Sequence, residues 1–213
     1  MKIKNYINKD FALIYGILAG DGCISKSGKY RGIVVTCNIH DDEPFFKQIV
    51  VPKMAKIRNK KVKYRKRPDF GKIEINFSDK ELFNKFVSLE FPIGKKKNIK
   101  ISKHFPKKVW NHIISGFFAT DGSLVLTNNN GTLYPRIEIQ NNSKIILEQI
   151  KKFLISKGMT VNVYRTIKIN SFSEKKEKYV NYRLQSNGYN NLIKFRDVIG
   201  FINPKHEEKF KST

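Results

Sequence analysis

The chain has little of what most catalytic and metal sites are built from. Its 213 residues include two cysteines and four histidines, and Cys23, Cys37 and the scattered histidines fall at no zinc-binding spacing. Two cysteines suit free thiols, so an intracellular protein is expected. No apolar run is long enough to span a bilayer, and Met1-Lys2-Ile3-Lys4-Asn5 lacks the apolar core of a secretory leader. Acids are the other shortage: 18 Asp and Glu stand against 42 Lys and Arg, a formal charge of +24. Such an excess asks for a polyanionic partner, and nucleic acid fits better than a membrane surface. AT-rich coding explains a preference for Lys over Arg, but not the scarcity of acids. No Ser-His or Cys-His arrangement supplies an activated side-chain nucleophile.

What is present comes twice. Ile14-Tyr15-Gly16-Ile17-Leu18-Ala19-Gly20-Asp21-Gly22 recurs as Ile114-Ser115-Gly116-Phe117-Phe118-Ala119-Thr120-Asp121-Gly122. Gly16, Ala19 and Gly20 share one helical face, as do Gly116, Ala119 and Thr120. A face without bulk lets two backbones approach closely, while Leu13, Ile17, Leu18, Ile113, Phe117 and Phe118 fill a core. Gly22 and Gly122 stand where a helix commonly stops in a left-handed conformation. Asp21 and Asp121 then end two adjacent helices. That placement is electrostatically unfavourable, because each carboxylate meets the negative end of a helix dipole and the two repel each other. A divalent cation removes both problems, and hard ions take carboxylate, carbonyl and water ligands.

The segments after each motif also repeat, giving helix-strand-strand-helix-strand-strand-helix twice over. The expected division is an N-terminal half over residues 1–100, a short connection over 101–110, and a C-terminal half over 111–213. In the first half, Asn8 or Asp10 caps the motif helix, and a hairpin follows around Ser27-Gly28-Lys29-Tyr30-Arg31. Asp41 or Asp42 caps a helix that fades near Pro52. Lys61, Lys63, Arg65 and Arg67 then alternate along a strand, which puts four cations on one face. The return strand sets Ile73, Ile75 and Phe77 against Lys72, Glu74 and Asn76. In the second half the polar faces carry Arg136, Glu138 and Gln140, then Asn162, Tyr164, Thr166 and Lys168, then Tyr179, Asn181 and Arg183, with a polar loop over residues 170–177. Greasy on one side and polar or basic on the other, such sheets suit β-ribbon reading of a DNA groove, with Lys and Arg on phosphates and Arg, Asn or Gln on base edges. The candidate DNA-binding set is Arg31, Lys61, Lys63, Arg65, Arg67, Lys72, Asn76, Arg136, Glu138, Asn162, Tyr164, Lys168, Asn181 and Arg183. The halves differ in charge, which predicts an asymmetric target.

The two nine-residue motifs resemble those of the LAGLIDADG homing endonucleases, in the form that carries both on one polypeptide, and the resemblance covers nearly the whole chain. It implies an α+β fold of two pseudo-symmetric αββαββα halves. The motif helices pack at the interface through Gly16, Ala19, Gly116 and Ala119, and two antiparallel sheets form a saddle along double-stranded DNA. It also implies a monomer using Mg²⁺ or Mn²⁺ held by Asp21 and Asp121, with the carbonyls of Gly20 and Thr120. Both strands are then cut across the minor groove, leaving 3′ overhangs. Family basic and polar groups around the attacking water fall near Cys37-Asn38 and Gln140-Asn141, of which Asn38 and Gln140 are selected. The later lysines fall at Lys97, with Lys95 and Lys96 competing, and at Lys205. Many members have Gln-Lys at the first of these positions; this chain has no lysine there. The sixth motif position, acidic in the family name, is Ala19 and Ala119. A maturase acting on its own intron RNA and an inactive DNA-binding regulator are the alternatives on the same fold.

Overall fold

The computed structural model describes residues 6–169 and 178–213; the polar loop expected over 170–177 and the five N-terminal residues lie outside them. Helix α1 (Lys9–Asp21) is opened by Asn8, whose side chain accepts from Phe11 N. Its apolar residues point in every direction and are almost all buried, so α1 is a central helix and not a surface one. Strands β1 (Gly22–Ser27) and β2 (Tyr30–Asn38) form the first hairpin, turning at Gly28 with φ +49°.

The second helix differs from expectation. Asn38, not Asp41 or Asp42, accepts from His40 N and Asp41 N and opens it. It then runs without a break through α2 (Ile39–Phe45), a π-helical stretch Phe46–Val50 and α3 (Val51–Arg58). Pro44 is the sixth residue of α2, so the helix forgoes one bond to His40 O there. Pro52 follows the widened π turn, where the hydrogen-bond ladder is already re-registered, so the helix passes it. It stops instead at Asn59, which is left-handed.

Strand β3 is only Arg65–Arg67, pairing with β4 (Lys72–Ser78). Lys61 and Lys63 precede the ladder as exposed, unpaired chain, so the expected four-cation strand shrinks to two arginines within it. Helix α4 (Lys80–Ser88) is capped by Asp79. The connection from α4 to α5 (Trp110–Asp121) buries Ile99, Ile101 and Phe105, and Tyr15 donates to Lys100 O.

The second half follows with β5 (Gly122–Asn129), β6 (Thr132–Asn141), α6 (Lys144–Ile155), β7 (Asn162–Ile169), β8 (Lys178–Asn187) and α7 (Tyr189–Val198). It adds one element the sequence did not suggest, α8 (Pro204–Lys211), capped by Asn203. The two sheets have matching antiparallel orders, β1-β2-β4-β3 and β5-β6-β8-β7. One continuous apolar core lies between the sheets and the helices, with α1 and α5 at its centre. Among the described residues no helix is long and apolar enough to cross a membrane.

Candidate functional site

The motif helices meet backbone to backbone. A Cβ on Gly16 would lie 2.0 Å from Ile113 O, and one on Gly116 would lie 2.2 Å from Leu13 O. Only glycine fits at either point. Ala19 and Ala119 are buried in the same core. Nearer the helix ends, a Cβ on Gly20 would strike Thr120 Oγ1 and come within 3.2 Å of Asp121 Oδ1. Asp121, the last residue of α5, therefore reaches across toward α1, whose last residue is Asp21.

Both acids are half-buried, and burial pushes both carboxyls above their ordinary value. Asp121 rises to about 6: burial dominates, Asp21 adds to it, and Asn141 and Lys96 oppose it. For Asp21, Lys96 pulls down against burial, with Asp42 pushing up and Lys205 pulling down.

A lysine lies close to both. Lys96 Nζ donates to the carbonyls of Leu18 (3.2 Å), Ala19 (2.9 Å) and Gly20 at the end of α1, of which Leu18 O also accepts from Gly22 N. Its delivery follows from the chain path. Ile93 bridges Ile24 on the free edge of β1, and Gly94 N donates to Ile24 O at 2.8 Å, which brings the chain alongside the end of α1 two residues before Lys96. Lys97 is exposed, so the lysine near the acids is Lys96 and not Lys97. Burial lowers the Lys96 ammonium while Asp121 and Asp21 hold it up.

Around Asp121 the polar partner is Asn141, which donates from Nδ2 to Asp121 Oδ2 at 2.7 Å. Gln140 is one place off: by register it faces the outer side of the sheet, opposite Arg183. Asn38 is exposed and gives its Oδ1 to the cap of α2, and among the described residues it makes no hydrogen bond to either acid. Cys37 lies on the core side near Asp21, its thiol pushed up by burial and then by Asp21 and Asp42. Lys205 Nζ is 2.6 Å from Asp42 Oδ1. Asn203 Nδ2 donates to the same Asp42 oxygen at 2.8 Å and to Ala119 O at 3.0 Å, so the second half clasps α2 of the first. Neither Asp42 nor Asn203 stood out in the sequence, because Asp42 and Lys205 are 163 positions apart.

Among the described residues no group of three or more His, Cys, Asp or Glu is arranged to hold a metal. The donor set is smaller: two carboxylates and the carbonyls at two helix ends, which Lys96 shows to be attractive to a cation. Such a set fits a hard divalent ion that keeps waters and takes further oxygens from a substrate phosphate.

Register places the outward residues. On the first sheet, Lys72, Glu74 and Asn76 lie with Arg65 and Arg67, and Tyr30 OH donates to Asn76 Oδ1 at 2.9 Å. Arg31 faces the other way, donating to Gly28 O and Tyr30 O beside Phe83, so it drops out of this face. On the second sheet, Arg136, Glu138, Arg183, Asn181, Asn162 and Tyr164 share the outer face. Lys168 pairs with Tyr179 along the same row; its side chain lies outside the described residues.

The duplicated scaffold is the fold of solved LAGLIDADG homing endonucleases. Residues 108–200 match the family model described as a LAGLIDADG-like domain, and the whole chain has the fold of those enzymes on one polypeptide. It is similar to the homing endonuclease I-DmoI in complex with DNA and Mn, at 20% identity over 90% of this chain and 96% of that one, TM-score 0.61. It is also similar to the I-LtrWI LAGLIDADG homing endonuclease bound to target DNA, at 12% identity over 95% and 88% of the two chains, TM-score 0.57. The corresponding values for I-GzeII in complex with its DNA target are 9%, 95% and 87%, TM-score 0.57. No curated protein matches the chain by sequence.

Proposed function

We propose that the chain is a monomeric, site-specific double-stranded DNA endonuclease that hydrolyses one phosphodiester on each strand of a long asymmetric target, across the minor groove, leaving 3′ overhangs. The observation that carries this reading is the pair Asp21 and Asp121, brought together at the ends of two helices in backbone contact, with the Lys96 ammonium on the carbonyls that end α1. A protein that only bound DNA would gain nothing from two mutually repelling, half-buried carboxylates. The solved relatives with this fold, I-DmoI and I-LtrWI among them, are described as homing endonucleases with bound DNA, which supports the same reading.

Asp21 and Asp121, with the carbonyls of Gly20 and Thr120, are the groups that would hold Mg²⁺ or Mn²⁺. The bound ion would lower the pKa of a water and neutralise charge building on the phosphate. Asn141 holds the Asp121 carboxylate in one orientation. Lys96, close to both acids, is placed to stabilise phosphate charge, and Lys205 plays the corresponding part in the second half, braced by Asp42. The outward sheet faces supply phosphate and base contacts.

The test is cleavage of a random-sequence duplex library with Mg²⁺, an EDTA control, and sequencing of the ends. Metal-dependent ends converging on one long asymmetric site are expected. Asp21→Asn and Asp121→Asn should each abolish double-strand cleavage while changing binding by less than about tenfold, since one carboxylate contributes little to a saddle dominated by cations. Wild-type cleavage rates in either variant would remove the two-acid mechanism.

A further inference from the structure

Acids are scarce in this chain, 18 in 213 residues, and two of them occupy the middle of the outward sheet faces. The Glu74 side chain keeps 12% of its surface and that of Glu138 keeps 7%. On a face that is to meet phosphates, a carboxylate opposes binding. Each is nevertheless flanked by two arginines. Glu74 takes Arg65 Nε and, at 3.0 Å, Arg67 Nε. Glu138 Oε1 lies 2.6 Å from Arg136 Nε, off the hydrogen-bonding direction, and 3.7 Å from Arg183 Nη1. Burial pushes Glu74 up, but the hydrogen bonds from Arg65 and Arg67 prevail and hold it below the usual carboxylate range.

Arg65 and Arg67 bond the acid through Nε, and Arg136 turns its Nε to Glu138 in an ion contact without a hydrogen bond. That leaves the terminal fork of Nη1 and Nη2 free, and this fork is the edge that binds guanine O6 and N7 bidentately. An arginine held by Nε has also given up much of its rotamer freedom before any DNA arrives, so less is lost on binding.

Duplication does not account for the arrangement. Val35 pairs with Gly22 and Ile75, as Ile139 pairs with Gly122 and Leu184, so Ile75 corresponds to Leu184. The counterpart of Glu74 is then Arg183, and that of Glu138 is Val34. The two halves reach the same Arg-Glu-Arg grouping from different strand positions: Glu74 lies across from Arg65, whereas Glu138 holds an arginine two residues back on its own strand and one diagonally across.

We propose that Glu74 and Glu138 are positioning residues that aim arginine forks at guanine edges, one acid for each half of the target. The proposal rests on the endonuclease reading above. If the acids served only to join strands, their loss would weaken the sheet without altering sequence preference.

The experiment compares library cleavage profiles and random-duplex binding for wild type, Glu74→Gln and Glu138→Gln. Each variant should lose about tenfold discrimination at guanine-bearing positions, Glu74→Gln in one half of the site and Glu138→Gln in the other. Binding to random duplex should tighten, because a negative charge has left the face. Arg67→Lys and Arg136→Lys, which keep the charge but not the fork, should lose the same positions as their partner acid. Unchanged profiles, or a uniform loss across both halves with a lower unfolding midpoint, overturn the proposal. A wild-type protein with no sequence preference overturns the endonuclease reading with it; a specific wild type with unaltered variants overturns this proposal alone.

Discussion

Asp121 is held at a cost that depends on pH. Its carboxyl has a folded pKa of about 6 against an ordinary 3.8. The folded state therefore holds a proton that the unfolded chain releases between those values, and stability falls as pH rises through that window and stays lower above it. Asp121→Asn removes the ionisation while keeping an acceptor for Asn141. In EDTA the variant should match wild type near pH 4 and exceed it at pH 7 by up to about 3 kcal/mol, the value of a two-unit shift. Urea midpoints at pH 4, 5 and 7 measure this directly, and a gap that did not widen with pH would count against it. Opposite in sign, Lys96 gives its ammonium to the last carbonyls of α1 and acts on both carboxylates through its charge. On the proposed reading, a residue placed there does for the free protein part of what a metal ion would do for the loaded one.

Among the elements, α1 and α5 are held by what they lack. With a Cβ on Gly16 only 2.0 Å from Ile113 O, even one added carbon forces the two helices apart. Gly16→Val should lower stability by about 3 kcal/mol, read as a drop in unfolding midpoint, and Gly28→Ala, in open space at φ +49°, should cost only the left-handed backbone, about 1 kcal/mol. Equal effects at the two sites would mean that the crossing is looser than its geometry. Much of this was legible beforehand. The small-residue spacing of Gly16 and Gly116 and the period-2 strands specify their own geometry locally. The Asp-Gly stops fall where expected, but Gly22 and Gly122 are extended, not left-handed, because at each the chain passes straight into a strand and a Cβ would strike Leu18 or Phe118. What escaped the sequence depends on partners far along the chain or on backbone offsets. The helix through Pro52 survives because of a π turn that no residue type announces. Lys96 is chosen over its two lysine neighbours by a bridge between Ile93 and Ile24. Asn141 meets the acid instead of Gln140 because side chains alternate along β6, so an offset of one residue decides the face. Asn38 serves its own helix, a competing use that is visible only once the cap forms.

For the molecule as a whole, a charge of +24 on this fold implies binding dominated by counterion release. Raising salt from about 50 to 200 mM should weaken duplex binding by about a thousandfold or more, the behaviour of six or more phosphate contacts. A titration showing little salt dependence would place the cations elsewhere than against DNA. The two sheets also divide their residues strictly. Ile33, Val35, Ile73, Ile75, Ile137, Ile139 and Leu184 face the core, and most of the positions set for reading DNA face away from it. Few side chains on the outer face are needed to keep the protein folded, and none belongs to the helix crossing that sets the acids. Substitutions at its exposed positions are nearly free in stability, though not at the buried Glu138 and Asn181, so on the proposed reading the recognised sequence can drift over generations while the cutting centre stays intact. Retargeting is therefore a surface problem for this architecture, and a laboratory could pursue it one half at a time.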